Sequence, residues 1–204
     1  MLRKLLFYVL ILVVQFLTLS SFAQSETPED VVVGGEAKCI VIGNSPIKSG
    51  VTDGNRLVIL ESEGFANGSI ILQRFVETNE IKIDVNALAL FGLIDDLEGF
   101  LGGKILKFNN TDSELSLVKE IKNKSTEIEV TNLLKDGTRG NVSGKVQLKG
   151  ISNDLVTGQI YFTVGKTLLK TTKSENTEVK DNGQIKIKCK FRDVPFVRKP
   201  APSL

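Results

Sequence analysis

Residues Gln184 to Phe191 (QIKIKCKF) alternate apolar side chains and lysines without a break. Side chains on a β-strand point to opposite faces with a period of two, so Ile185, Ile187, Cys189 and Phe191 share one face and Lys186, Lys188 and Lys190 the other. One dry face and one wet face is the pattern of a half-buried antiparallel strand. Similar segments recur from Lys38 to Ile42, Arg56 to Glu61, Ser69 to Phe75, Ile81 to Leu88, Ile105 to Phe108, Glu114 to Lys119, Glu127 to Leu133, Lys145 to Leu148 and Gln159 to Val164, with a further one over Thr167 to Thr172. Asp53-Gly54-Asn55, Asp136-Gly137-Thr138 and Asp181-Asn182-Gly183 supply turn residues that tolerate positive φ. Closely spaced strands with few helical stretches between them predict an all-β domain, an antiparallel β-barrel or a β-sandwich.

Phe91 to Leu101 (FGLIDDLEGFL) departs from the alternation. Phe91, Ile94, Leu97, Phe100 and Leu101 fall at helical spacing, with Asp95, Asp96 and Glu98 opposite, which predicts one short amphipathic helix stopped by Gly102-Gly103. Such a helix either covers one end of the β structure or borders a cavity. In the second case Phe91, Ile94, Leu97 and Phe100 are the ligand-cavity candidates.

The first residues run from Arg3 and Lys4 through an apolar stretch, Leu5 to Leu17, to Ser21-Phe22-Ala23. That order predicts a signal peptide over 1–23 and a secreted or periplasmic product, with a retained anchor as the alternative. Residues 24–36 read as a flexible lead-in, 37–191 as a single β domain, and 192–204, with Pro195, Pro200 and Pro202, as a disordered basic tail. No later run is long and apolar enough to span a membrane once the leader is removed.

Arg3 and Lys4 are the leader's share of the 26 Lys+Arg, against none of the 24 Asp+Glu, so the remainder is formally neutral. A nucleic-acid binder would show a basic surplus, so no nucleic-acid partner is expected.

Cys39 and Cys189 are the two cysteines. In an oxidising compartment they predict a disulfide joining the first and last strand-like segments, side by side or across a thin core; two buried free thiols are the alternative.

The chain has no histidine. This removes histidine acid–base catalysis, Ser-His-Asp and Cys-His mechanisms and the usual zinc sites. Gly165-Lys166-Thr167 echoes a phosphate-binding loop, but Ile160 stands where its first glycine belongs. Neither adjacent Asp95 and Asp96 nor the acidic turns have the spacing of a glycosidase pair or a calcium loop. The expectation is therefore no enzyme, no cofactor, no metal and no catalytic residue. Asn67, Asn109, Asn123 and Asn141 begin Asn-x-Ser/Thr sequons, which matter only in a host that glycosylates exported proteins.

Gly68-Ser69-Ile70 with Ile81 to Leu88, Lys104 to Phe108, and Val142 to Ile151 (VSGKVQLKGI) together resemble the strand motifs of YceI-like proteins. The chain departs from that pattern at Lys149, where the family has histidine. The resemblance implies an exported lipocalin-like barrel enclosing a hydrophobic small molecule or isoprenoid lipid. A surface or matrix interaction protein working through its lysine stripe, with no enclosed ligand, is the alternative, and a carboxylate-based hydrolase a third.

Overall fold

In the computed structural model, residues 33–62 and 65–200 are described, and the predicted signal peptide and most of the lead-in lie outside them. Eleven strands follow one another: β1 (Glu36–Ile42), β2 (Ser49–Thr52), β3 (Arg56–Ser62), β4 (Phe65–Glu77), β5 (Ile81–Ile94), β6 (Leu106–Asn110), β7 (Glu114–Ile121), β8 (Thr126–Thr131), β9 (Val142–Ser152), β10 (Leu155–Lys173) and β11 (Asn176–Pro200). Among the described residues one α-helix, α1 (Leu97–Leu101), sits between β5 and β6, and a single 3-10 turn (Lys122–Lys124) joins β7 to β8.

All eleven strands belong to one sheet, in the order β2-β1-β11-β3-β4-β5-β7-β8-β10-β9-β6, and β11 also pairs with β10. The strands joined through that extra pairing, β2-β1-β11-β10-β9-β6, are called the front sheet and β3-β4-β5-β7-β8 the back sheet. The long strands β10 and β11 belong to both. Leu168 to Lys173 of β10 pair with β8, and Phe196 to Pro200 of β11 pair in parallel with Leu57 to Glu61 of β3. Seven strands, β11-β3-β4-β5-β7-β8-β10, thereby close a ring with the character of both barrel and sandwich. The expected all-β class is what the chain adopts.

Alternation places the core as expected. Ile185, Ile187, Cys189 and Phe191 are all buried, and from the back sheet Leu57, Ile59, Ile70, Leu72, Leu115 and Leu117 meet them. Gly144 on β9 has a packing reason: a Cβ there would lie 2.7 Å from both the Phe108 ring and Phe162 Cβ. Removing this much apolar surface from water is the main stabilising force.

Several boundaries differ from the sequence reading. β2 carries no long alternation and is added only by pairing with β1. Gln159 to Val164 and Thr167 to Thr172 belong to one strand, β10, and Asp181-Asn182-Gly183 is a bulge inside β11. Thr167 pairs with Gly183 and Leu168 with Asp181, so Asn182 is the extra residue and Gly183 takes φ 77°. Positive φ serves a bulge as well as a turn. The hairpin reverses instead at Ser174-Glu175, between the paired Lys173 and Asn176.

The helix is shorter than its periodicity suggests. Phe91 and Ile94 lie in β5, where Gly92 at φ 69° resets the phase opposite Gly68, and only Leu97–Leu101 are helical. A short apolar run fits both periods, and the hydrogen bonds offered by β4 decide. The expected disordered tail is likewise replaced over 192–200 by β11. Arg198 donates through Nε and, at 3.0 Å, through Nη2 to the Glu61 carboxylate, holding that carboxyl below its ordinary range and tying the parallel segment to β3. Pro195 and Pro200 are accommodated where the strand leaves one sheet for the other and where it ends.

Among the described residues no helix is long and apolar enough to cross a membrane.

Candidate functional site

The four cavity candidates lie against the hydrophobic core. Phe91, Ile94 and Phe100 are buried and Leu97 is half-buried against the core. The Phe91 ring meets Phe100 edge-on at 6.2 Å and Phe108 at 5.5 Å. Beside the Cys39–Cys189 disulfide lies an apolar cavity of about 50 Å³, bordered by Val41, Ile47, Leu72, Val85 and Ile187. Ligand pockets for drug-sized molecules hold ~300–1,000 Å³.

Buried Asn132, Thr52 and Asn55 are hydrogen-bonded to the backbone and to one another, while Arg56 Nε is buried without a hydrogen-bond partner. Asn132 accepts from the Leu115 N–H at 2.9 Å and donates to the Ser113 carbonyl at 2.8 Å. Thr52 donates to Asn55 Oδ1 at 2.7 Å, and Asn55 donates back to the Thr52 carbonyl at 2.9 Å. These side chains hold loops in place. Among the described residues no cluster of three or more His, Cys, Asp or Glu is placed to hold a metal ion.

The outer face of the front sheet is different. Register sets Lys188 of β11 opposite Tyr161 of β10, Tyr161 opposite Lys145 of β9, and Lys145 opposite Lys107 of β6, one row across four strands. Lys186 and Lys190 flank Lys188 along β11, and Lys190 faces Lys38 of β1. Two lysine pairs, Lys38 with Lys190 and Lys107 with Lys145, thus stand directly opposite one another, an arrangement that destabilises a sheet. At one end of this face Glu36 pairs with Lys38 at 3.4 Å and Asp193 with Arg192 at 3.5 Å. Among the described residues Lys107, Lys145, Lys186, Lys188 and Lys190 make no ion pair.

The back sheet shows the contrast. Three of its outward acids meet cations, Glu77 with Lys122 at 2.6 Å, Glu129 with Lys170 at 3.6 Å, and Glu114 with Arg139, while Glu120 of β7 stands opposite Glu127 of β8. The front face therefore holds a run of neighbouring lysines without ion pairs, with no acid interleaved among Lys107, Lys145 and Lys188.

Within that face runs a groove of about 300 Å³, lined by Ile105, Lys145, Gln147, Gln159, Tyr161 and Lys188. Gln159 donates to Gln147 Oε1 and Gln147 to the Gly103 carbonyl, both at 3.0 Å, which fixes the two amides at its edge. Of these residues the sequence reading singled out the lysines beside Gln184. Tyr161, Lys145 and Lys107 escaped it because only the register brings them together.

No family model, curated protein or solved structure matches the chain.

Proposed function

We propose that this chain is a secreted or periplasmic binding module, without catalytic activity of its own, that engages an anionic cell-surface or matrix polymer through the outer face of its front sheet. The observation that carries the reading is the set of unpaired lysines on β6, β9 and β11, assembled despite two like-charged cross-strand pairs. A face that only had to be wet would be more stable with its charges mixed. Strands ~4.8 Å apart bring these lysines near enough to engage one polyanion chain together. The disulfide and the signal-peptide pattern support the oxidising compartment.

Retention on an immobilised sulfated polysaccharide tests this. The parent chain should bind at low ionic strength and elute as salt rises, since exposed charge is screened. The triple substitution Lys107→Glu, Lys145→Glu, Lys188→Glu should flow through with an unchanged circular dichroism spectrum. Equal retention of both proteins would sink the reading.

A second reading, the enclosed lipid implied by the YceI-like resemblance, draws on the apolar cavity beside the disulfide. Its rim of half-buried Ile47, Ile83 and Val85 would have to part for a chain to enter. Solvent extraction and mass spectrometry of the purified protein test it, and an extract free of lipid counts against it.

A further inference from the structure

We propose that the groove around Tyr161 is a subsite for a single acidic pyranose ring of a polysaccharide, with Lys188 and Lys145 receiving its charge and Tyr161 its C–H face. This rests on the polyanion reading above and narrows it to one occupant.

Three features of the groove point to a sugar ring in addition to charge. First, Tyr161 stands between two lysines by register: Lys188 and Lys145 are each its direct cross-strand partner, and all three line the groove. With strands ~4.8 Å apart, their backbones are separated by roughly 10 Å, leaving room for a ring over Tyr161 with a lysine on either side. The π-face of an aromatic ring carries negative charge density and attracts the weakly positive C–H groups of a saturated ring.

Second, the edge of the groove carries fixed hydrogen-bonding capacity. The Gln159–Gln147–Gly103 chain uses one N–H of each amide and one lone pair of Gln147. An amide has two N–H donors and a carbonyl with two lone pairs, so both glutamines keep donors and acceptors for ring hydroxyls. Held by each other and by the backbone, they lose little side-chain freedom on binding.

Third, the neighbours favour a chain over a lone sugar. Ile105, 48% exposed, stands at the rim as an apolar wall. Lys107 continues the row beyond Lys145, where the charge of a following residue would fall. A polyphosphate chain offers the lysines their charge but gives Tyr161 no ring and the amides no hydroxyls. A planar membrane surface does not reach into a groove between side chains.

The carboxylate of a uronate and the sulfate of a sulfated sugar share this chemistry, and the probes separate them. Titration calorimetry would use oligogalacturonate, sulfated dextran oligosaccharide, neutral dextran oligosaccharide and polyphosphate. One or both acidic oligosaccharides should bind and the neutral one should not. Tyr161→Ala should weaken the acidic sugar about tenfold, the loss of one stacking contact, while leaving polyphosphate affinity unchanged. Tyr161→Phe, which keeps the ring and guards against a folding artefact, should bind like the parent. Should Tyr161→Ala lose polyphosphate and acidic sugar equally, or lose neither, the subsite falls and the general polyanion reading stands. Should none of the polyanions bind the parent chain, both fall.

Discussion

Cys39 and Cys189 are direct partners in the register of β1 and β11, with their Cα atoms 4.1 Å apart and a sequence separation of 150. The bond holds the β1–β2 arm on the strand that also closes the ring. A crosslink over so long a loop removes much of the unfolded chain's freedom, worth about 5 kcal/mol in the chain-entropy view. The double variant Cys39→Ser, Cys189→Ser should lose stability of that order in urea unfolding. A loss below about 1 kcal/mol would show that the unfolded chain is already constrained.

The lysine face makes a prediction of opposite signs. Lys145→Glu places an acid opposite Lys107 and beside Tyr161, turning a repulsive pair into an attractive one. Stability should rise by a few tenths of a kcal/mol, roughly the size of an exposed cross-strand pair, while retention on the polyanion falls. Urea midpoints and elution salt, measured on the same preparation, check both signs. A variant that gained in both would remove the conflict between stability and binding on which the site was recognised.

Phe100 is 2% exposed and packs edge-on against Phe91. Truncating a buried aromatic leaves a cavity the surroundings only partly fill, so Phe100→Ala should cost about 3–5 kcal/mol. Polyanion retention should be unchanged under conditions where the variant remains folded. Were Phe100 instead the wall of a ligand cavity, the stability cost would be small and any bound lipid would be lost.

Asp96 caps α1, accepting from the Gly99 N–H at 2.9 Å, and lies 2.7 Å from the Lys104 ammonium. The Lys104 hydrogen bond, then the Gly99 amide, hold its carboxyl below the ordinary value of 3.8. A depressed folded pKa contributes stability that is present above the unfolded pKa and lost as pH falls through the folded one. Asp96→Asn keeps a capping oxygen and removes the charge, so it should be less stable than the parent at neutral pH. The difference should vanish in the acid range below the folded pKa. A difference constant across the whole pH series, followed by urea unfolding, would assign the loss to packing.

Local pattern was enough for the class of fold and for the inward or outward direction of most side chains. QIKIKCKF shows its faces because the strand period is a property of the backbone, readable wherever one side is dry. The same reasoning could not divide β5 from α1, since Phe91 and Ile94 fall at the helical spacing of Leu97 and Phe100 and only the hydrogen bonds of β4 draw them into a strand. Nor could it foresee that 192–200, rich in proline and charge, closes the ring beside β3. That closure depends on a partner well over a hundred residues away.

The candidate site divides in the same way. By itself the sequence determined that Lys186, Lys188 and Lys190 face water, that histidine chemistry is absent, and that Cys39 and Cys189 lie in the first and last strand-like segments. Only the tertiary structure decided that Lys107, Lys145, Tyr161 and Lys188 form one row, because which residues stand opposite one another is set by strand order and register. Those are settled by burying the other face of the same strands, so the charge on the outside is arranged by the packing within.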